Sequence, residues 1–178
     1  MLQRLRLLVL AVAVLFSGLG CAQSSTLLKP GDKIGDMTLV KAPPNSQRYS
    51  AFCLGSTAPP ERFTPGKDQT SCEAPRAQFL WFDNGWGAID KQTLEDNWRA
   101  LTFELYIDEQ QVDLAAFGTI DEEQYNSTAH TFGLALENAT GKHTIRFIRH
   151  HKVDVDDGFN TYKAGSYETI TTISLIDQ

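Results

Sequence analysis

From residue 101 onward, apolar side chains fall on alternate positions. Leu101, Phe103, Leu105 and Ile107 alternate with Thr102, Glu104 and Tyr106, the period of a strand buried on one face. Val112, Leu114 and Ala116 alternate next. A turn centred on Glu109-Gln110 would set Ile107 against Val112, Leu105 against Leu114 and Phe103 against Ala116, all on one face. A second hairpin is expected where His130, Phe132, Leu134 and Leu136 alternate, Asn138-Ala139-Thr140-Gly141 turns, and His143, Ile145 and Phe147 alternate again. Its predicted register pairs Glu137 with Lys142, Leu136 with His143, Leu134 with Ile145 and Phe132 with Phe147.

Tyr167 to Ile176 reads as the last strand, and Met37–Lys41, Tyr49–Leu54 and Gln78–Phe82 as earlier ones. Only Ile89–Trp98 has room for a helix of a turn or two. About seven or eight short strands separated by turn residues point to an all-β, antiparallel β-sandwich or barrel, with the sandwich preferred. No strand–helix–strand alternation is present, so a parallel sheet is not expected. The sequence has no internal repeat.

The N-terminus follows a different pattern. Arg4 and Arg6 precede an unbroken apolar run from Leu7 to Phe16, and small residues then lead to Cys21. A charged start, a short apolar run and a small-residue exit make an export signal. The run falls short of the ~20 residues a bilayer span needs. Gly18-Leu19-Gly20-Cys21 resembles the lipobox of bacterial lipoproteins, with Gly18 where that family usually has Leu. The resemblance covers residues 1–21. It implies cleavage before Cys21, a diacylglycerol on the Cys21 sulfur and a palmitate-type acyl group on the new N-terminus. Two or three acyl chains hold a protein firmly on a membrane, where one does not. Ala22, not Asp, follows the cysteine, and in two-membrane members of the family that implies passage to the outer membrane. Cleavage by the ordinary signal route, without lipid, is the alternative. The organisation expected is a signal peptide over 1–20, a lipidated Cys21 and tether over 21–35, and a single domain over 36–178. A tether from Ala22 to Gly35 reaches roughly 45–50 Å when extended.

A second resemblance is shorter. The Gly165-Ser166-Tyr167 lead into a Thr-rich final strand is similar to the last strand of immunoglobulin-like and fibronectin-type sandwiches. It implies architecture and no function.

Removing the leader takes away Arg4 and Arg6 and no acid, so the formal net charge moves from −6 to −8. A body this acidic is unsuited to binding nucleic acid through charge. Two cysteines remain beyond Cys21. In an exported chain, Cys53 and Cys72 suggest a disulfide. The bridge would pin an irregular stretch, Gly55 to Gln78, which holds Pro59, Pro60, Pro65 and Pro75. On chain-entropy grounds it would contribute about 3 kcal/mol. The cysteine spacing does not match a zinc knuckle.

Candidate chemistry is sparse. Asp154, Asp156, Asp157 and Asn160 crowd oxygens around Gly158 and invite a calcium reading. The spacing departs from an EF-hand loop, which places glycine sixth, and the plain alternative is a polar turn. His150 and His151 are adjacent and point to opposite faces of a strand, so one metal cannot easily take both. His143 is expected to be packed and hydrogen-bonded. There is no Gly-x-Ser-x-Gly elbow, and no carboxylate pair stands out for glycoside hydrolysis. The Asn126 and Asn138 sequons are read as chance. Trp81, Trp86 and Trp98 either fill the core or, if exposed, stack on sugar rings. The expectation is therefore an extracytoplasmic, lipid-anchored lipoprotein with no cofactor. It would act as a non-catalytic binding or structural module, its partners the membrane and envelope proteins or glycans. A carbohydrate-binding module and, after it, an envelope hydrolase are the alternatives.

Overall fold

The computed structural model of the chain describes residues 26–49, 63–124 and 126–177. Its strands are β1 (Lys33–Ile34), β2 (Met37–Lys41), β3 (Gln47–Arg48), β4 (Gly66–Pro75), β5 (Phe79–Phe82), β6 (Gly85–Ala88), β7 (Leu101–Ile107), β8 (Gln110–Val112), β9 (Thr119–Gln124), β10 (Ser127–Phe132), β11 (Leu134–Glu137), β12 (Gly141–His151), β13 (Val155–Asp156), β14 (Thr161–Tyr162) and β15 (Gly165–Ile176). Two helices interrupt them, α1 (Lys91–Ala100) and α2 (Leu114–Phe117). The fold is all-β and sandwich-like, and it is not a barrel.

One sheet has the order β4-β15-β12-β7-β8, and a second has the order β1-β2-β11-β5-β3. A three-stranded sheet, β6-β10-β9, prolongs the second, because β5 leads into β6 and β10 into β11. Leu105, Ile107, Ile145, Ile173 and Leu175 of the first sheet close on Met37, Leu39, Leu80, Phe82, Leu134 and Leu136 of the second. Each of these is at most 6% exposed. Burial of one such aliphatic side chain contributes about 1.5–3 kcal/mol, so this seam is the main source of stability.

The helix forms where the sequence leaves room for it. Asp90 caps α1 by accepting from the Thr93 N–H at 2.8 Å, and this hydrogen bond lowers its pKa. Leu94 and Asn97 are its buried residues.

Several expectations are corrected. The β7–β8 hairpin exists, but Ile107 faces Gln110 and Leu105 faces Val112. Asp108 and Glu109 turn with φ of 48° and 66°, so two residues close the loop where four were expected. The Asp108 carboxylate makes this tight turn tenable: it accepts from the Thr144 N–H at 2.8 Å and meets His143 Nδ1 at 2.7 Å. A shift of two keeps the apolar face, so the pattern alone could not exclude it. Leu114 and Ala116 belong to α2, capped by Asp113, and not to a strand.

The second hairpin does not form. β11 pairs with β2 and β5, while β12 pairs with β15 and β7. The Asn138–Gly141 segment carries the chain from one sheet to the other, and His143 lies opposite Ile173. Phe132 and Phe147 do meet, ring centroids 6.3 Å apart, but edge-on and across the core. Their expected run is also split at Gly133, whose Cβ would come 3.2 Å from the Phe117 carbonyl oxygen.

Two strand pairs within these otherwise antiparallel sheets are parallel. β4 runs parallel to β15 over ten residues, and β3 parallel to β5 over two. β4 lies in the stretch expected to be irregular. Its first four residues are exposed, and only Thr70, Cys72 and Ala74 alternate inward, so little of it shows the period of a half-buried strand. Cys72 sits within it, packed against the core. Cys53, and most of the expected Tyr49–Leu54 strand, lie outside the described residues; Tyr49 itself is buried, which pushes its phenol up to about 12.

The N-terminal segment is docked from Leu28 onward. Leu28 donates to the Gln111 carbonyl and accepts from the Asp113 N–H. From Cys21 to Leu28 seven residue steps remain, at most about 25 Å of chain.

Candidate functional site

Consecutive residues of β5 face opposite ways. Leu80 and Phe82 enter the core, where Phe82 packs on Tyr49 at 5.4 Å and on Phe147 at 5.5 Å. Trp81 takes the other face. Its Nε1–H donates to the Phe132 carbonyl at 2.7 Å, and the Arg48 guanidinium lies 4.7 Å from its ring centroid. Short β3, parallel to β5 with Arg48 opposite Trp81, sets that stacking.

Arg48 is the hub of this face. Its guanidinium forks onto both oxygens of Glu122 and lies 3.4 Å from Asp83 Oδ2. The Arg48 side chain is 43% exposed, while those of Glu122 and Asp83 are 11% and 2% exposed. The Glu122 hydrogen bond raises the guanidinium pKa further, so Arg48 is a permanent cation.

Two concavities meet at the Arg48–Glu122 pair. One, about 270 Å³, is floored by Gly85, Gly87 and Ala129 and bears Asn84, Ser127 and Thr131. The other, about 570 Å³, has Ala42, Pro43, Pro44 and Ile120 as apolar walls and Asp121 to Glu123 along one side. Gly85 is required here, because a Cβ would lie 1.9 Å from the His130 carbonyl oxygen. The lining residues include no histidine to activate Ser46, Ser127 or Thr131. The groove is equipped to hold a ligand by charge, stacking and hydrogen bonds.

Of the other sequence candidates, Trp86 also borders the groove, lining its smaller lobe beside Gly85 and Gly87, while Trp98 lines neither lobe. Trp86 is 5% exposed and packs edge-on against His151 at 5.4 Å and Tyr162 at 4.9 Å, under the Arg149 guanidinium at 4.5 Å. Trp98 is partly buried against Phe103, Phe132 and His130. Trp81 is 8% exposed beneath Arg48. Of the two readings of the tryptophans, core packing is the one these environments fit for Trp81 and Trp86, both of which are buried.

The acidic run is a self-bonded turn around β13–β14. Asp154 accepts from Lys163 Nζ and the Ala164 N–H, Asp156 from the Gly158 N–H and the Thr161 hydroxyl, and Asp157 from the Phe159 and Asn160 N–H groups. These bonds lower the pKa of Asp154 and of Asp156. Asn160 closes the turn, its carbonyl accepting from the Asp157 N–H. Among the described residues, no group of three or more His, Cys, Asp or Glu could hold a metal ion.

His143 is packed as expected, between Asp108 and the Thr140 carbonyl. His150 links Ser166 Oγ at 2.8 Å to Glu104 Oε1 at 2.9 Å, on the face of the sheet turned away from the core. Hydrogen bonds from Tyr106 first, and then from His150, hold the Glu104 carboxyl below its usual range. Neither lobe of the groove adjoins this cluster.

Sequence reasoning named Trp81 and missed Arg48, Asp83 and Glu122. They stand 35 and 74 residues apart along the chain, so no local spacing marks them. No protein-family model matches this chain, and no curated protein matches it.

Proposed function

We propose that the protein is an exported lipoprotein, lipid-anchored through Cys21 to the cell membrane or outer membrane, whose domain acts as a non-catalytic binding or structural module of the envelope. The observation that carries this reading is the leader: Arg4 and Arg6, the apolar run Leu7–Phe16, and Cys21 directly after Gly18-Leu19-Gly20. No helix among the described residues is long and apolar enough to cross a membrane. The short stretch between Cys21 and docked Leu28 would keep the domain close to the lipid surface. The groove around Arg48 is the binding surface in this reading, since it brings charge and shape together without an activated nucleophile. The bridge between Cys53 and Cys72 belongs to the same reading, as does the immunoglobulin-like character of the last strand, as architecture alone.

Replacing Cys21 by Ser tests it. The variant is expected in the soluble extracytoplasmic fraction, while the parent chain fractionates with membranes and its N-terminal peptide carries the mass of added acyl chains. Membrane retention of the variant with unchanged processing would overturn the anchor.

A further inference from the structure

We infer that the groove receives an extended, basic segment of a partner protein, and that a guanidinium or ammonium of that segment takes the seat over Trp81 now filled by Arg48. The inference rests on the binding-module reading and names its partner class.

The seat itself is the first reason. It joins an indole face with two carboxylates, one of them almost wholly shielded from water. An indole attracts a cation held over its face, and a carboxylate takes a guanidinium through two parallel bonds. The chain's own Arg48 demonstrates the fit. Arg48 is the accessible member of the trio, its side chain 43% exposed over carboxylates that are 2% and 11% exposed, so an incoming cation that replaces it keeps the shielded charges paired. A two-residue strand carries it.

Charge is the second reason. Four carboxylates line the two lobes, those of Asp83, Asp121, Glu122 and Glu123, against the single guanidinium of Arg48. Facing a partner, this net of −3 selects a cation and repels an acidic glycan or peptide.

Shape is the third. The larger lobe, about 570 Å³, lies within the ~300–1,000 Å³ usual for ligand sites, and the smaller extends it past the Arg48–Glu122 pair. β9 is the outer strand of its sheet, so one backbone edge lacks a strand partner among the described residues. An extended segment satisfies such an edge. Side chains at alternate positions would then meet the apolar Pro43–Pro44 wall and the cation seat. A neutral glycan in that seat would bring no charge to replace the guanidinium between Asp83 and Glu122, whereas a basic side chain does.

The test uses the lipidated chain purified from membranes in detergent. The probes are fluorescent, end-blocked peptides of alternating Arg and Val and of alternating Glu and Val, with a neutral chitin hexasaccharide as competitor. Anisotropy should show binding of the Arg–Val peptide alone, weakening as salt is raised. Glu122→Gln should weaken it about tenfold, the scale of one lost charge-assisted contact. Arg48→Ala should tighten it several-fold by vacating the seat. If Glu122→Gln lowers the melting midpoint, the Arg48→Ala comparison decides: tighter binding supports the inference, and equal or weaker binding overturns it. Failure of both parent and Arg48→Ala to bind the peptide, or displacement of the peptide by the hexasaccharide, also overturns it. None of these results bears on Cys21-dependent membrane fractionation, so the anchor stands or falls separately.

Discussion

His151 makes stability depend on pH in a way that can be calculated. It ends β12, is 4% exposed, and packs among Trp86, Tyr162 and Tyr167. Its Nε2 accepts from Arg149 Nε at 2.8 Å, which requires the neutral ring with its proton on Nδ1. Among the described residues no carboxylate bonds to it; Asp157 acts on its neighbour Tyr162. Burial first, and the Arg149 charge second, lower its pKa from 6.5 to about 4. The unfolded chain therefore takes up a proton between pH 6.5 and 4 that the folded chain refuses. The resulting stability is fully present above pH 6.5 and is lost as pH falls through this window. The loss specific to His151 is about 2 kcal/mol at pH 5 and about 3 kcal/mol at pH 4. The first figure is roughly 4–8 °C in melting midpoint for a domain of this size. The assay is urea unfolding from pH 8 to pH 4 for the parent and for His151→Phe, which keeps a ring in place. Other carboxylates titrate in both proteins, so only the difference between the two curves is read. The variant should start less stable, because Arg149 loses its acceptor, and then fall more shallowly with acid. Parallel curves across this window would refute the assignment of a buried neutral imidazole.

Gly85→Ala should destabilise by at least about 3 kcal/mol, because the new Cβ would overlap the His130 carbonyl of the paired strand. Gly87→Ala, whose nearest neighbour would be 3.5 Å away, should cost less than about 1 kcal/mol; equal losses in urea titrations would contradict the β6–β10 register. The mature chain, unfolded without reductant, should show no free thiol, and reduction should remove about 3 kcal/mol of stability. Titration of two thiols before reduction would eliminate the Cys53–Cys72 bridge.

The alternation of apolar residues stated which side of each strand faces the core, and in that it was accurate for Leu105, Ile107, Leu134, Leu136 and Ile145. It could not state which strand lies alongside. Phe132 and Phe147 satisfy the same pattern whether they are neighbours in one sheet or opposed across two, and the structure takes the second arrangement. The β7–β8 register was off by two, the one error that leaves the buried face unchanged. β4 was hard to read for another reason: only Thr70, Cys72 and Ala74 of its residues turn inward at alternate positions, and its partners on β15 are as distant as Tyr167 is from Gly66.

The same logic separates what was legible of the site from what was not. The acidic turn could be read because it is local; each carboxylate bonds within ten residues of itself. The Arg48 seat is not local. Its three charged members come from β3, the β5–β6 connection and β9, and they meet only because β5 and β10 bring two sheets side by side. In the sequence each is an ordinary surface charge on a chain rich in them. Only folding turns Asp83 into a carboxylate shielded from water beneath a guanidinium. This cost in desolvation is set against its pairing with Arg48, and for that reason the seat draws a cation, whether it comes from this chain or from a partner.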